Sequence, residues 1–74
     1  MISPIEINAM GKPCPLPLLL LKKQLKKTPE LKSYMLKASD PNSQIDIARY
    51  CQIHHYSLKL EKISENEFHY WIET

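Results

Sequence analysis

Cys14 stands between two prolines in the run Gly11-Lys12-Pro13-Cys14-Pro15-Leu16-Pro17, directly ahead of Leu18-Leu19-Leu20-Leu21-Lys22-Lys23. Proline is tolerated in the first turn of a helix, where its missing N–H would have had no partner. Pro15 and Pro17 therefore fit the first helical positions and leave Cys14 at or next to the N-cap. A thiol there lies in the positive end of the helix dipole, which favours the nucleophilic thiolate. Ser, Thr, Asp and Asn make better caps, so a cysteine at this place points to chemistry. The expectation is a thiol of lowered pKa that needs no general base. Free N–H groups of the first turn should steady an anion formed on it. The plain alternative is a small buried hydrophobe.

The remaining chemistry-bearing residues are weaker candidates. Cys51 falls on the apolar stripe of a second helix and reads as core packing, with a resolving role toward Cys14 as the alternative. Leu16, Leu19 and Leu20 lie away from the Leu18/Leu21/Leu25 face and close to Lys23 and Lys27. They make a lysine-rimmed docking patch or simply scattered exposed leucines. Asp46 reads as the acid of a capping box opened by Ser43, and Asp40 as a turn former. His54, His55 and His69 with Cys51 match no zinc spacing, so no metal is expected. Lys22, Lys23, Lys26 and Lys27 offer phosphate contacts, but interleaved exposed aromatics and a nucleic-acid motif are missing.

The elements that must position these residues follow from periodicity. Ile5-Glu6-Ile7-Asn8-Ala9 alternates as a strand. A helix runs from Pro15 to about Thr28, where Thr28-Pro29 stops it. Tyr34 to Ala38 is a second strand, and Ser39-Asp40-Pro41-Asn42 a turn. The second helix runs from Ser43 to about His55, with Ile47, Tyr50, Cys51 and His54 along one stripe. A strand over Leu58–Glu61, a turn at 64–67 and a strand carrying Phe68, Tyr70 and Ile72 complete the chain. The order βαβαββ predicts an α/β two-layer sandwich: two helices on one face of a four-stranded mixed sheet, its last pair antiparallel.

Composition bounds the function. The 74 residues suffice for one domain spanning 1–74, and 43% hydrophobic content is that of a globular chain. Two cysteines make no disulfide scaffold and suit free thiols in a reducing cytosol. The start lacks the features of a signal peptide, and the apolar run from Cys14 to Leu21 is too short to span a bilayer. A soluble cytoplasmic protein without membrane contact is expected. The net charge of +2 hides an asymmetry: seven lysines against Glu6 and Glu30 in residues 1–37, then Arg49, Lys59 and Lys62 against six acids in residues 38–74. The basic half carries Cys14 and suits an acidic protein surface or phosphate, or is a solvated face.

Gly11 followed by Cys14-Pro15-Leu16-Pro17, between a short strand and an amphipathic helix, resembles the TusA/SirA family, whose hallmark is Cys-Pro-x-Pro after a glycine. The stretch from Ser39-Asp40-Pro41 through Asp46-Ile47 to Cys51 is similar to the family's acidic turn and second helix. Phe68-His69-Tyr70-Trp71-Ile72 looks like its aromatic last strand. The resemblance implies the same sandwich, and a Cys14 that accepts sulfur as a persulfide from a cysteine desulfurase and relays it to an acceptor protein. No cofactor beyond that covalent persulfide is implied. In TusA itself the relay ends in tRNA 2-thiolation, whereas relatives serve other sulfur or selenium pathways; direct tRNA contact stays open. Two departures stand out. His54-His55-Tyr56 replaces the histidine after glycine common near the end of the second helix. Leu16 replaces an acid in the variable slot, which implies a different acceptor. A regulatory interaction module and an RNA-binding module are the competing readings.

Overall fold

The computed structural model describes residues 4–30 and 32–74. Strand β1 (Ile5–Ala9) leads into helix α1 (Leu16–Lys27), followed by β2 (Ser33–Ala38), α2 (Ser43–Ile53), β3 (Ser57–Ser64) and β4 (Glu67–Glu73). Among the described residues these form a two-layer sandwich of one four-stranded mixed sheet, in the order β1-β2-β4-β3, and two helices. The last strand is therefore central.

β1 and β2 are parallel, with Ala9 opposite Ala38, and β4 is antiparallel to both β2 and β3. β2 and β3 thus also run parallel, with β4 between them. Both helical crossovers step across the sheet in one direction, and right-handed crossovers that step the same way put both helices on one face. Alternation does the rest. Tyr34, Leu36 and Ala38 of β2 and Phe68, Tyr70 and Ile72 of β4 are buried beneath Leu21, Ile47 and Cys51. Their neighbours Met35, Lys37, His69 and Trp71 point to the open face. β3 is an edge strand, exposed over most of its length, and Lys59 and Lys62 guard it against pairing with another chain.

Helix α2 ends in a left-handed residue. His55 has φ 60°; its N–H donates to the Gln52 carbonyl at 3.2 Å, and the Tyr56 N–H donates to the Cys51 carbonyl at 2.8 Å. These paired bonds are the Schellman termination, whose left-handed position normally carries glycine because a Cβ is disfavoured there. His55→Gly is expected to stabilise the fold by about 0.5–1 kcal/mol, a rise in Tm of roughly 2–8 °C for a domain of this size. Thermal unfolding followed by circular dichroism checks it.

Candidate functional site

Because β1 and β2 are parallel and in register, the loops that leave them run side by side. Gly11 turns the first loop with φ 77°, a conformation that a Cβ would strain. Its N–H donates to Ser39 Oγ at 2.8 Å. Three residues on, the Cys14 N–H donates to Asp40 Oδ2 at 2.9 Å, while Asp40 Oδ1 accepts the Asn42 N–H, also at 2.9 Å. The Cys14 and Asn42 N–H groups hold the Asp40 carboxyl below the usual carboxylate range. Asp40 is more than the expected turn former. It ties the cysteine loop to the head of α2.

Cys14 is half-buried, just outside the Pro15 N-cap of α1. Pro15 is thus the cap and Leu16 the first helical residue, one position later than the sequence indicates; Pro17 follows inside the first turn. Cys14 thus lies next to the N-cap as expected, but the expected lowering of its pKa is overturned. Cys14 Sγ donates to Asp46 Oδ2 at 2.6 Å. That bond, then burial, then the charges of Asp46 and Asp40 push the thiol above its ordinary value. Two carboxylates beside the sulfur outweigh a helix dipole that falls off within a turn. The first turn also has few donors for an anion. Pro15 and Pro17 have no N–H, and the Leu16 N–H donates to the Pro13 carbonyl at 2.9 Å.

The capping box is absent as well. Asn42 occupies the N-cap of α2 with no side-chain capping bond. The Ser43 and Gln44 N–H groups go instead to the backbone carbonyls of Asp40 and Pro41, at 3.1 and 3.3 Å. Backbone satisfaction of the first turn leaves Asp46 for the thiol, and leaves Ser43 Oγ buried without a hydrogen-bond partner among the described residues.

The proposed docking residues divide. Leu16 and Leu19 are exposed, at 40% and 50%, with Lys23 and Lys27 also in solvent, whereas Leu20 packs partly against the core. Cys51 is buried in that core, and burial pushes its thiol up. Both cysteines are free. No cluster able to hold a metal ion occurs among the described residues, nor is any helix there long and apolar enough to cross a membrane.

Sequence reasoning missed a groove of about 250 Å³ between α1 and α2, lined by Leu18, Lys22, Asp46, Arg49, Tyr50 and Ile53. The Lys22 ammonium lies 5.2 Å from the Tyr50 ring centre, and Tyr50, His54 and Tyr56 pack ring against ring behind it. Asp46, Arg49 and Tyr50 share one face of α2 at helical spacing, a signal legible in the sequence once α2 is faced against α1. Asp46 belongs to this groove and to the thiol at once.

A thiol presented on the loop between a first strand and a first helix, with two helices on one sheet face, defines a small α/β domain that displays one cysteine. The description "Sulfurtransferase TusA" attaches to the family model that matches residues 5–74. The chain is 31% identical over 67 residues to the sulfur carrier protein TusA of Pseudomonas syringae pv. syringae, covering 90% of this chain and 80% of that one. With the protein of the same name from Pseudomonas savastanoi pv. phaseolicola it shares 30% identity over 79 residues, covering 97% and 94%. A crystal structure of a SirA-like protein from Desulfitobacterium hafniense has the same fold, with a TM-score of 0.83 at 20% identity over 95% of this chain and 96% of that one. The chain belongs to the TusA family.

The position of the thiol has a measurable consequence. In Cys51→Ala protein, alkylation of Cys14 by iodoacetamide should rise with pH around a midpoint above the ordinary thiol value of 9.0. Asp46→Asn should lower that midpoint and speed alkylation several-fold at neutral pH. The gain in thiolate outweighs the smaller loss of nucleophilicity that accompanies a lower pKa. An unchanged midpoint in Asp46→Asn would contradict the assignment.

Proposed function

We propose that this protein is a sulfur carrier, a sulfurtransferase whose Cys14 alternates between thiol and persulfide. The observation that carries the reading is the placement of Cys14: half-exposed at the head of α1, with its backbone held by Asp40 and its sulfur by Asp46. In loading, Cys14 Sγ attacks the outer sulfur of a persulfide on a cysteine desulfurase. The new Sγ–S bond forms as the donor's S–S bond breaks, so Cys14–SH and donor–S–SH become Cys14–S–SH and donor–SH. Unloading repeats the exchange toward a thiol of the acceptor protein. No cofactor enters either step.

The raised pKa of Cys14 favours the neutral thiol, so the proton must leave as the Sγ–S bond forms. Asp46 already accepts that hydrogen and is its first stop; the departing donor thiolate is its last. Exposed Leu16 and Leu19 beside Lys23 and Lys27 supply an apolar contact with a basic rim for donor and acceptor proteins. A cytoplasmic setting suits two free thiols. The likeness to TusA makes tRNA 2-thiolation one end-point to test.

Incubation with a cysteine desulfurase and cysteine, followed by intact mass, tests the reading. Cys51→Ala protein should gain one sulfur atom and Cys14→Ser protein none. Absence of any gain on Cys14 across a panel of desulfurases would sink the carrier reading. A cellular phenotype that survives Cys14→Ser would point instead to an interaction module.

A further inference from the structure

The hydrogen that joins Cys14 to Asp46 disappears whenever Cys14 carries a second sulfur. In a thiol, Sγ bears that hydrogen. In a persulfide or any disulfide, Sγ is bonded to Cβ and to the outer sulfur and bears none. A carboxylate oxygen 2.6 Å from such a sulfur would face lone pairs with no proton between, and an ionised outer sulfur adds like-charge repulsion. Asp46 must then turn away, and its neighbours decide where. It opens onto the groove it shares with Lys22 and Arg49. Lys22 already stands over the Tyr50 ring. Arg49 makes no ion pair among the described residues. It lies three residues beyond Asp46 on α2, a spacing at which an acid followed by a base pairs favourably.

We propose that Asp46 is a two-position carboxylate, bonded to Cys14 Sγ in the empty protein and paired with the Arg49 guanidinium when Cys14 carries a second sulfur. The purpose of this exchange rests on the sulfur-carrier reading; its chemistry does not. During loading from a persulfide donor, the Cys14 hydrogen passes to Asp46 and from there to the departing donor thiolate, as one S–S bond replaces another. No outside oxidant or reductant is needed. Asp46, ionised again, then turns to Arg49. Because it touches the reacting sulfur, Asp46 is a catalytic residue of the step, and Arg49 is its positioning residue. In the empty protein the guanidinium has no ion pair among the described residues, and in the loaded one it is half of a neutralised pair. A partner lying over α1 and α2 meets a different charge in each state.

Methyl methanethiosulfonate isolates this switch. With Cys51→Ala protein it forms Cys14–S–S–CH3, which adds a sulfur and removes the Sγ hydrogen without any desulfurase. Arg49 is the single arginine of the sequence, so its Nε–Hε signal in an NMR spectrum is unambiguous. Modification should shift that signal and slow its exchange with solvent. Asp46→Asn and Asp46→Ala, both at a half-exposed helical position, should abolish the response, and Asp46→Glu should keep it. An Arg49 signal indifferent to modification, or one that responds equally without the carboxylate, would overturn the proposal. Either result leaves the desulfurase experiment to judge the carrier reading separately.

Discussion

The parallel pairing of β1 with β2 is the constraint on which the site depends. Parallel strands end at the same edge of the sheet, so the loops following Ala9 and Ala38 emerge side by side. Each leads into a helix on the same face, and the starts of α1 and α2 are brought together. The bonds from Gly11 N–H to Ser39 Oγ and from Cys14 N–H to Asp40 Oδ2 fasten the two loops. A cysteine on one loop then meets Asp40 of the other loop and Asp46 of the helix it opens, without any long insertion. Binding at the carboxyl ends of parallel strands is a general habit of α/β folds, here reduced to a single pair of strands.

That arrangement fixes the electrostatics of the sulfur. A helix start alone would favour the thiolate, but prolines remove the donors that would face it, and Asp46 takes the thiol hydrogen. Cys14 therefore rests as a neutral thiol, less exposed to adventitious electrophiles than a thiolate would be. In the proposed loading step the same carboxylate that suppresses the resting nucleophile would also receive its proton, so protection and proton removal would fall to one side chain. Asp40 contributes differently: its bonds are to backbone N–H groups, so it positions the loop while its charge adds to the field on the sulfur.

Legibility in the sequence followed the range of the interactions. Period-two alternation at Ile5–Ala9 and Phe68–Ile72, and the helical spacing of Leu18, Leu21 and Leu25, are local signals, and the architecture followed from them. The central position of β4 is not local. It depends on β2 pairing with residues of β4 that lie far along the chain, from Ala38 with Phe68 to Ser33 with Glu73, and the order of elements alone leaves that choice open. Cys14 was conspicuous because its neighbours are prolines. Its protonation was misread because the deciding partner, Asp46, lies 32 residues downstream. Local reasoning assigned Asp46 to a cap that backbone carbonyls fill instead. Leu20, grouped with Leu16 and Leu19 by its angle on the helix, leans far enough toward the sheet to join the core.

The charge asymmetry of the chain acquires a location in the fold. Residues 1–37, with an excess of lysine, form β1, α1 and most of β2, while the acidic remainder begins beyond the middle of the chain and includes α2. The two halves meet along the groove between α1 and α2, and Cys14 sits at the end of that groove marked by Asp46. The thiol thus stands on a boundary between a basic helix and an acidic turn. A protein approaching along α1 meets lysines and exposed leucines, whereas one approaching over the Ser39–Asn42 turn meets the single carboxylate of Asp40. Complementary charge steers encounter and orientation more than it sets affinity. For the proposed sulfur carrier, the lysines of α1 would therefore steer a partner with an acidic surface toward Cys14.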